Sequence, residues 1–255
     1  MKEKLKAFER LLTIIDELRE KCPWDMKQTM ESLRYLTIEE TYELGDAILE
    51  NNMEEVKKEV GDLLMHMVFY ARIGSETNDF DMTDVLNSIS DKLVSRHPHI
   101  YGDVKAETAE EVKQNWEQLK LKEGKKSILE GVPLSAPSLV KAMRVQEKVQ
   151  QVGFDWDDSE KVWDKMNEEL GEFKTELKNG DDPEKLEEEF GDILFSLVNY
   201  ARFFNVNPDN ALERTNKKFV KRFKIIEEKA KDKGRNLKDM SLEEMEELWQ
   251  EAKGA

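Results

Sequence analysis

The sequence has almost none of the residues that build disulfide scaffolds or membrane spans. It contains one cysteine, Cys22, which excludes an intrachain disulfide and is typical of a reducing compartment. Its longest apolar run, at residues 63–71, is too short to span a bilayer, and the mixed Lys and Glu of residues 1–12 are unlike a signal peptide. We therefore expect a cytoplasmic protein with no membrane partner.

Positive charge is also in short supply. Lys and Arg number 40 against 56 Asp and Glu, so the formal net charge is −16. Nucleic acids and anionic lipids attract clusters of Lys and Arg, and we expect no nucleic-acid polymer as a partner. A small polyanionic substrate is still compatible with this charge, provided that a divalent metal neutralises the acid locally.

Strand patterns and the common phosphate-binding and nucleophile motifs are missing too. No stretch alternates apolar and polar residues, and there is no GxxxxGK[ST] loop, GxSxG elbow or CxxC pair. Helical spacing recurs instead, with charged residues between apolar ones three or four apart. An example is Phe8, Leu11, Leu12, Ile15 and Leu18. The sequence therefore predicts an all-α fold.

The chain contains an internal repeat with an offset of roughly 130 residues. Four landmarks occur in the same order in both halves. They are EETYE (39–43) and EELGE (168–172), EVGDLLMHMVFYAR (59–72) and EFGDILFSLVNYAR (189–202), the pairs Lys92 with Arg96 and Lys218 with Arg222, and NWEQLK (115–120) and LWQEAK (248–253). Because GVPLSAPS (131–138) has the composition of a linker, we predict two tandem helical domains, 1–130 and 131–255.

Carboxylates at helical spacing form the main candidate site. Glu40 and Glu43 are three residues apart on one helical face, and so are Glu59 and Asp62 on the next helix. If these helices pack antiparallel, the four acids converge and repel one another, and a hard divalent cation such as Mg²⁺ relieves the repulsion. The second copy offers the same arrangement in Glu169, Glu172, Glu189 and Asp192.

A solvated surface is the ordinary explanation for a single EExxE in so acidic a chain. Two observations favour a site. Glu59 and Asp62 lie on a helix that is apolar on several sides, and the ExxD element returns in the second copy with a glycine before its aspartate. Gly61 and Gly191 each cost about 1 kcal/mol relative to alanine inside a helix, which suggests a close helix approach.

Basic and aromatic residues follow the acids in both halves. Lys92 with Arg96, and Lys218 with Arg222, are four apart, so each pair could grip phosphate oxygens or remain at the surface. A tryptophan followed four residues later by a lysine could provide a face for a base and a further cation, although a core position is the more common role. These pairs are Trp116 with Lys120 and Trp249 with Lys253.

The three histidines are a weaker signal. His66, His97 and His99 all lie in the first half, and the second half has none. If both halves do the same work, histidine is not essential to that work. We expect His66 to be a satisfied residue in or near the core.

These motifs together resemble the MazG family of nucleoside triphosphate pyrophosphohydrolases over essentially the whole chain. The combination of CPWD followed by QT, the EExxE and ExxD pair, and VGFDW is quite specific. The segments that carry the resemblance are KCPWDMKQTMESLRYLTIEETYELGDAI (21–48), EVGDLL (59–64), KLVSRHPHIYGDV (92–104), SILEGVP (127–133), VGFDW (152–156), EELGE (168–172) and EFGDILF (189–195).

The resemblance implies helical-bundle domains that form homodimers and cleave nucleoside triphosphates between the α and β phosphates. It also implies Mg²⁺ as the cofactor, with Mn²⁺ as an alternative, bound by the last two acids of EExxE and both acids of ExxD. Lys218 and Arg222 would contact phosphate, with Trp249 and Lys253 near the nucleotide. Next to the ligands, Glu39 and Glu168 are candidates for orienting or deprotonating the attacking water.

Two other interpretations remain open at the level of sequence. A carboxylate-bridged di-iron bundle also draws acids from facing helices, but it usually needs Glu-x-x-His elements, and Asp62 and Asp192 occupy the histidine positions here. A non-catalytic helical module that binds nucleotides or alarm nucleotides would use the duplication as a scaffold. Release of pyrophosphate with Mg²⁺ distinguishes the enzyme from the module.

Overall fold

The computed structural model describes residues 1–108, 111–112, 115–116, 119, 127–180 and 182–254. Within these ranges every regular element is a helix and no strand occurs, which confirms the predicted all-α fold. None of the helices in the same ranges is long and apolar enough to cross a membrane.

The chain divides into two compact units, Met1–Trp116 and Glu117–Ala255. Each unit contains one copy of the EExxE and ExxD elements. The domain boundary expected between residues 130 and 131 falls slightly later in the chain than this division, and it stays a prediction.

The first unit is built around a hairpin of two long helices. Helix α1 (Lys2–Lys21) leads through a 3₁₀ turn at Asp25–Lys27 into α2 (Met30–Leu49), and α3 (Met53–Glu76) follows after a short connection. Helices α4 (Met82–Arg96) and the short α5 (Pro98–Tyr101) come next in the chain.

Local sequence explains where these helices begin. Thr29 and Asp81 cap α2 and α4, and each forms a reciprocal capping box with the residue three positions later, Ser32 or Asp84. The Asn52 side chain caps α3 by accepting a backbone N–H. The caps provide partners for N–H groups that a helix start leaves unpaired, so the α2–α3 hairpin has well-defined ends.

The hydrophobic core of the first unit lies where α1 packs against this hairpin. It centres on Ile15, Leu33, Val68 and Phe69, none of which is more than 3% exposed. Leu36, one turn after Leu33 on α2, packs against the same cluster. Burial of these side chains removes apolar surface from water, which is the main favourable contribution to folding.

The second unit has the same kind of hairpin between other helices. Its acids lie on α7 (Ser159–Asn179) and α8 (Pro183–Phe203), and α6 (Ser138–Gln150) precedes this hairpin. The elements that follow are α9 (Pro208–Asp232), a 3₁₀ turn at Leu237–Asp239 and α10 (Leu242–Lys253).

Helix α6 lies between the two helix pairs of the second unit and packs against both α8 and α9. Around it, α7 pairs with α8 and α9 pairs with α10. The buried apolar residues of these helices are Val162, Met166, Ile193, Val198, Ile226, Ala230, Leu248 and Ala252. Gly180 ends α7 with a φ of +76°, a left-handed conformation that glycine adopts at little cost.

The two helical glycines that precede the aspartates of the ExxD elements do not mark a close helix approach. A Cβ atom at Gly61 or Gly191 would meet no atom of the described residues within 4 Å, and both positions are exposed. The expectation of close packing at these glycines is therefore wrong inside each unit, because both lie on the outward face of their helices.

Candidate functional site

The acids of the first unit lie on an antiparallel hairpin. The hydroxyl group of Thr37, early in α2, lies 2.8 Å from that of Tyr70, late in α3, and 3.3 Å from Nδ1 of His66. Residues later in α2 therefore face residues earlier in α3. This direction places Glu40 and Glu43 opposite Glu59, as the spacing of the motifs predicts.

Three carboxylates of the first unit form a tight group, which we call the first carboxylate cluster. One oxygen from each of Glu40, Glu43 and Glu59 lies within 4.8 Å of the others, and Glu59 is buried. Burial, a hydrogen bond with Glu59 and the negative charges around it raise the pKa of Glu40 to about 6. Without a cation, Glu40 thus keeps its proton to a higher pH than an exposed carboxyl group does.

His66 is a buried packing residue two turns after Glu59 on α3. It is 4% exposed, and burial lowers its pKa, although the charge of Asp62 acts in the opposite direction. The ring is therefore mainly neutral at physiological pH, with the hydroxyl of Thr37 as a partner. This environment agrees with the expectation of a satisfied histidine in the core.

The second unit repeats the arrangement in a second carboxylate cluster. One oxygen from each of Glu169, Glu172 and Glu189 lies within 4.8 Å of the others. Glu169 is buried, and Oε2 of Glu189 is buried without a hydrogen-bond partner among the described residues. Burial and the neighbouring carboxylates raise the pKa values of Glu172 and Glu189.

Sequence reasoning missed one residue at the second cluster. Nζ of Lys165 lies 2.9 Å from Oε1 of Glu169 and 3.0 Å from Oε1 of Glu168. The two carboxylates raise the pKa of Lys165 well above its usual value. The lysine precedes Glu169 by four residues on α7, a spacing that places two side chains on one helical face, so the sequence contained the signal.

The aspartates and the first glutamates of the motifs lie outside the two groups of three. Asp62 and Asp192 do not belong to the groups whose oxygens all lie within 4.8 Å of one another. Their charges nevertheless act on Glu40 and Glu189 respectively. Glu39 is exposed on α2. Their assignments as metal ligands or as the group that orients water stay predictions.

Basic and aromatic residues of the second unit meet on α9 and α10. The guanidinium of Arg222 lies over the ring of Trp249, 5.6 Å from its centre, and the ring of Phe219 lies 5.1 Å from the same tryptophan. Lys218 is exposed one turn before Arg222, and Lys253 donates a hydrogen bond to Gln250. Among the described residues, no ion pair joins this group to the second carboxylate cluster.

The matching residues of the first unit are less completely described. Lys92 is exposed and Arg96 half-buried near the end of α4. The ring of Trp116 lies 6.0 Å from that of His97. Lys120 lies outside the described residues. A role of these residues in binding substrate stays a prediction.

The donor atoms of both clusters fit a hard divalent cation. Each cluster offers only carboxylate oxygens, which Mg²⁺ and Mn²⁺ prefer over the nitrogen and sulfur ligands typical of zinc. The unpartnered, buried Oε2 of Glu189 is an acceptor that a cation would satisfy. Positions 62 and 192 hold aspartate instead of the histidine that a di-iron bundle usually needs, so the donor set does not favour iron.

Comparison with known proteins identifies the family. The MazG nucleotide pyrophosphohydrolase domain matches the chain twice, at residues 28–101 and 158–226. Over 260 residues the chain is 46% identical to the nucleoside triphosphate pyrophosphohydrolase/pyrophosphatase MazG of Thermotoga maritima, covering 100% of this chain and 98% of that protein. It is 41% identical over 257 residues to the nucleoside triphosphate pyrophosphohydrolase of Escherichia coli, covering 98% of each chain.

A further relative is uncharacterised. The chain is 46% identical over 251 residues to the protein YabN of Bacillus subtilis, which corresponds to 96% of this chain and 51% of YabN. The two matches of the family domain fall on the two hairpins that carry the carboxylate clusters. The chain therefore belongs to the MazG family of nucleotide pyrophosphohydrolases, with the family's domain present in two tandem copies.

Proposed function

We propose that the protein is a Mg²⁺-dependent nucleoside triphosphate pyrophosphohydrolase that cleaves NTPs and dNTPs between the α and β phosphates. The observation that carries this proposal is the pair of three-carboxylate clusters, one in each copy of the family's domain. As a member of this family the chain is a hydrolase of phosphoric anhydride bonds. Mn²⁺ is expected to substitute for Mg²⁺, because both accept carboxylate oxygens.

The carboxylates of both units would hold the metal. They are Glu40, Glu43, Glu59 and Asp62 in the first unit, and Glu169, Glu172, Glu189 and Asp192 in the second. When bound, Mg²⁺ would offset the charge of the triphosphate and lower the pKa of water. The chain's own contribution is to keep the glutamate oxygens of each cluster close together. Burial and mutual repulsion of these carboxylates appear as the raised pKa values of Glu40, Glu172 and Glu189.

In the reaction, the oxygen of water forms a bond to the α phosphorus while the bond from that phosphorus to the bridging oxygen breaks. Pyrophosphate leaves, and a nucleoside monophosphate remains. We assign the orientation of the water, or acceptance of its proton, to Glu39 and Glu168 beside the clusters. The hydrogen bond from Lys165 to Glu168 limits where the Glu168 carboxylate can point.

The basic residues would contact the phosphates. Lys218 and Arg222 would offset charge on the departing pyrophosphate, and the Arg222 guanidinium is already oriented by the ring of Trp249. The exposed Phe219 and the neighbouring Trp249 offer aromatic surface for a base, with Lys253 on the same helix as the tryptophan. The corresponding first-unit residues are Lys92, Arg96, Trp116 and Lys120.

We further propose that the protein acts as a cytoplasmic homodimer. Two apolar stripes run side by side along the outer face of the α2–α3 hairpin, and every member is at least 41% exposed. They consist of Tyr35, Ile38 and Tyr42 on α2 and Val60, Leu64 and Met67 on α3. An apolar face of this kind is typical of a protein interface, so Ile38→Glu with Leu64→Glu should convert the dimer into monomers in light scattering.

The experiment that tests the activity is product analysis after incubation with a panel of NTPs and dNTPs, with and without Mg²⁺. The expected products are monophosphate and pyrophosphate, formed only with metal and lost when Glu43→Ala and Glu172→Ala are combined. Each single variant shows which unit is active. As a control, Glu54→Ala removes an exposed acid of α3 that lies outside the cluster.

Two results would contradict the proposal. Diphosphate and orthophosphate as products would mean that the other anhydride bond is cleaved. Tight nucleotide binding without turnover, in the presence of Mg²⁺, would identify a binding module instead of an enzyme.

A further inference from the structure

The two carboxylate clusters differ in whether a cation is in contact with them. In the second unit Lys165 contacts Glu169, and in the first unit the residue four positions before Glu40 is Leu36. Leu36 packs against the hydrophobic core. The repeat therefore places an ammonium group at one cluster and an apolar side chain at the other.

No ion pair with another described cation compensates for this difference, although Lys58 attracts Glu59 through its charge. Among the described residues, no ion pair reaches Glu40, Glu43 or Glu59. Lys58, next to Glu59, is paired with Glu55 at 2.5 Å. The first cluster thus presents three carboxylates to an incoming cation, whereas the second presents three carboxylates of which one already has a cationic partner.

From this difference, and given the proposed function, we propose that Lys165 is a positioning residue that makes the second cluster take its divalent metal together with the triphosphate. The first cluster, which has no such lysine, takes metal directly from solution. The two units would then differ in the order in which metal and nucleotide bind.

The physical reason is competition for the same oxygen. Lys165 lies 2.9 Å from Oε1 of Glu169, so a metal that binds Glu169 must either displace the ammonium or accept its repulsion. The lysine side chain is 37% exposed and can turn toward solvent. There it gives up its contact with Glu169 and keeps at most that with the exposed Glu168, unless a phosphate oxygen supplies a second anionic partner. A triphosphate supplies such oxygens, so metal and nucleotide should favour each other's binding at this cluster.

The test measures binding of Mn²⁺ by electron paramagnetic resonance of the free ion, with and without an α,β-methylene nucleoside triphosphate. This analogue cannot be cleaved at the proposed bond, so the readout does not depend on activity. The second cluster is observed alone in a full-length background in which Glu40, Glu43 and Glu59 are changed to glutamine. In this background Lys165→Met removes the ammonium and keeps most of the side-chain volume.

Without nucleotide, Lys165→Met should bind Mn²⁺ about threefold to tenfold more tightly than the same background with lysine, after allowance for partial exposure of the charge. The analogue should increase Mn²⁺ affinity strongly with Lys165 present and much less with methionine. Lys165→Arg retains a cation and should behave like the unchanged background. Lys161→Met, one turn earlier and paired with Asp157 outside the cluster, should have no effect.

Unchanged or weaker Mn²⁺ binding by Lys165→Met without nucleotide would overturn the proposal, and so would an equal effect of Lys161→Met. Failure of the proposed function has a different signature, namely that Mn²⁺ binds neither cluster even with the analogue. The reciprocal background, with Glu169, Glu172 and Glu189 changed to glutamine, should bind Mn²⁺ without nucleotide more tightly than the first background does. The opposite ranking would also contradict the inference.

Discussion

Replacing Glu40 by glutamine is expected to stabilise the metal-free protein above about pH 6. Burial and the neighbouring acids, among them Glu59 and Asp62, raise the pKa of Glu40 from 4.5 to about 6. Between these values the folded protein holds a proton that the unfolded chain has lost, so the free energy of unfolding falls as the pH rises. Glutamine has a similar shape and no charge, so the variant should not show this loss.

The magnitude follows from the pKa. The difference between 4.5 and about 6, at about 1.4 kcal/mol for each pH unit, corresponds to about 2 kcal/mol when the group is fully ionised. Because Glu40 is only partly buried, water screens part of this repulsion, and we expect about 1 kcal/mol. Glu39→Gln is the matched control, since it removes the same charge from an exposed neighbour outside the cluster.

The assay is urea unfolding followed by circular dichroism, with chelator present, near pH 8 and near pH 4. Near pH 8 the Glu40→Gln protein should have the higher midpoint with an unchanged slope, and near pH 4 the advantage over Glu39→Gln should disappear. Millimolar Mg²⁺ should stabilise the unchanged protein more than Glu40→Gln, because only the former keeps the full cluster. Equal midpoints for the two variants near pH 8 would refute the reasoning.

Four further substitutions give distinct outcomes. Gly74→Ala should lower the free energy of unfolding by about 1–3 kcal/mol, because its Cβ would lie 2.9 Å from the ring and the carbonyl oxygen of Phe80; an unchanged urea midpoint would contradict this contact. Gly61→Ala should raise it by about 1 kcal/mol, because no described atom lies within 4 Å; destabilisation would show that another surface covers this position. Leu248→Ala, at a residue 2% exposed, should cost about 2–5 kcal/mol in the same assay. Arg222→Met should slow pyrophosphate release at least about tenfold with little change in thermal stability, if the guanidinium contacts phosphate.

Most of the helical architecture could be predicted because its signals are local. Apolar spacing, the capping residue Thr29 and the left-handed Gly180 each leave a trace within a few residues of sequence. The position of α6 between α8 and α9 could not be predicted in this way. It depends on contacts such as the hydrogen bond from the Gln146 amide to the Phe195 carbonyl, which joins residues distant in sequence.

The candidate site was predictable to the extent that it follows helical geometry. Spacing places Glu40 and Glu43 on one face of α2, and the structure brings both close to Glu59. Asp62 shows the limit of this reasoning. Three residues correspond to about 300° around a helix, so Asp62 is rotated by about 60° from Glu59. Whether that rotation brings the Asp62 side chain into the first carboxylate cluster depends on the packing angle between the helices. The spacing of the acids in the sequence does not determine this angle.

Comparison of the two units shows which residue differences near a carboxylate cluster should affect metal binding and which should affect only stability. Thr37 and His66, which contact each other between α2 and α3, correspond to Met166 and Ser196 in the second unit. Three glutamates nevertheless meet in both units. Residues at these two positions need only fill space and satisfy their own hydrogen bonds, so polar and apolar side chains are both acceptable there. A cation in contact with a carboxylate is different, because it changes the charge that an incoming metal meets. Lys165 is therefore the difference that should alter metal binding, whereas exchanges at positions 37 and 66 should alter stability alone.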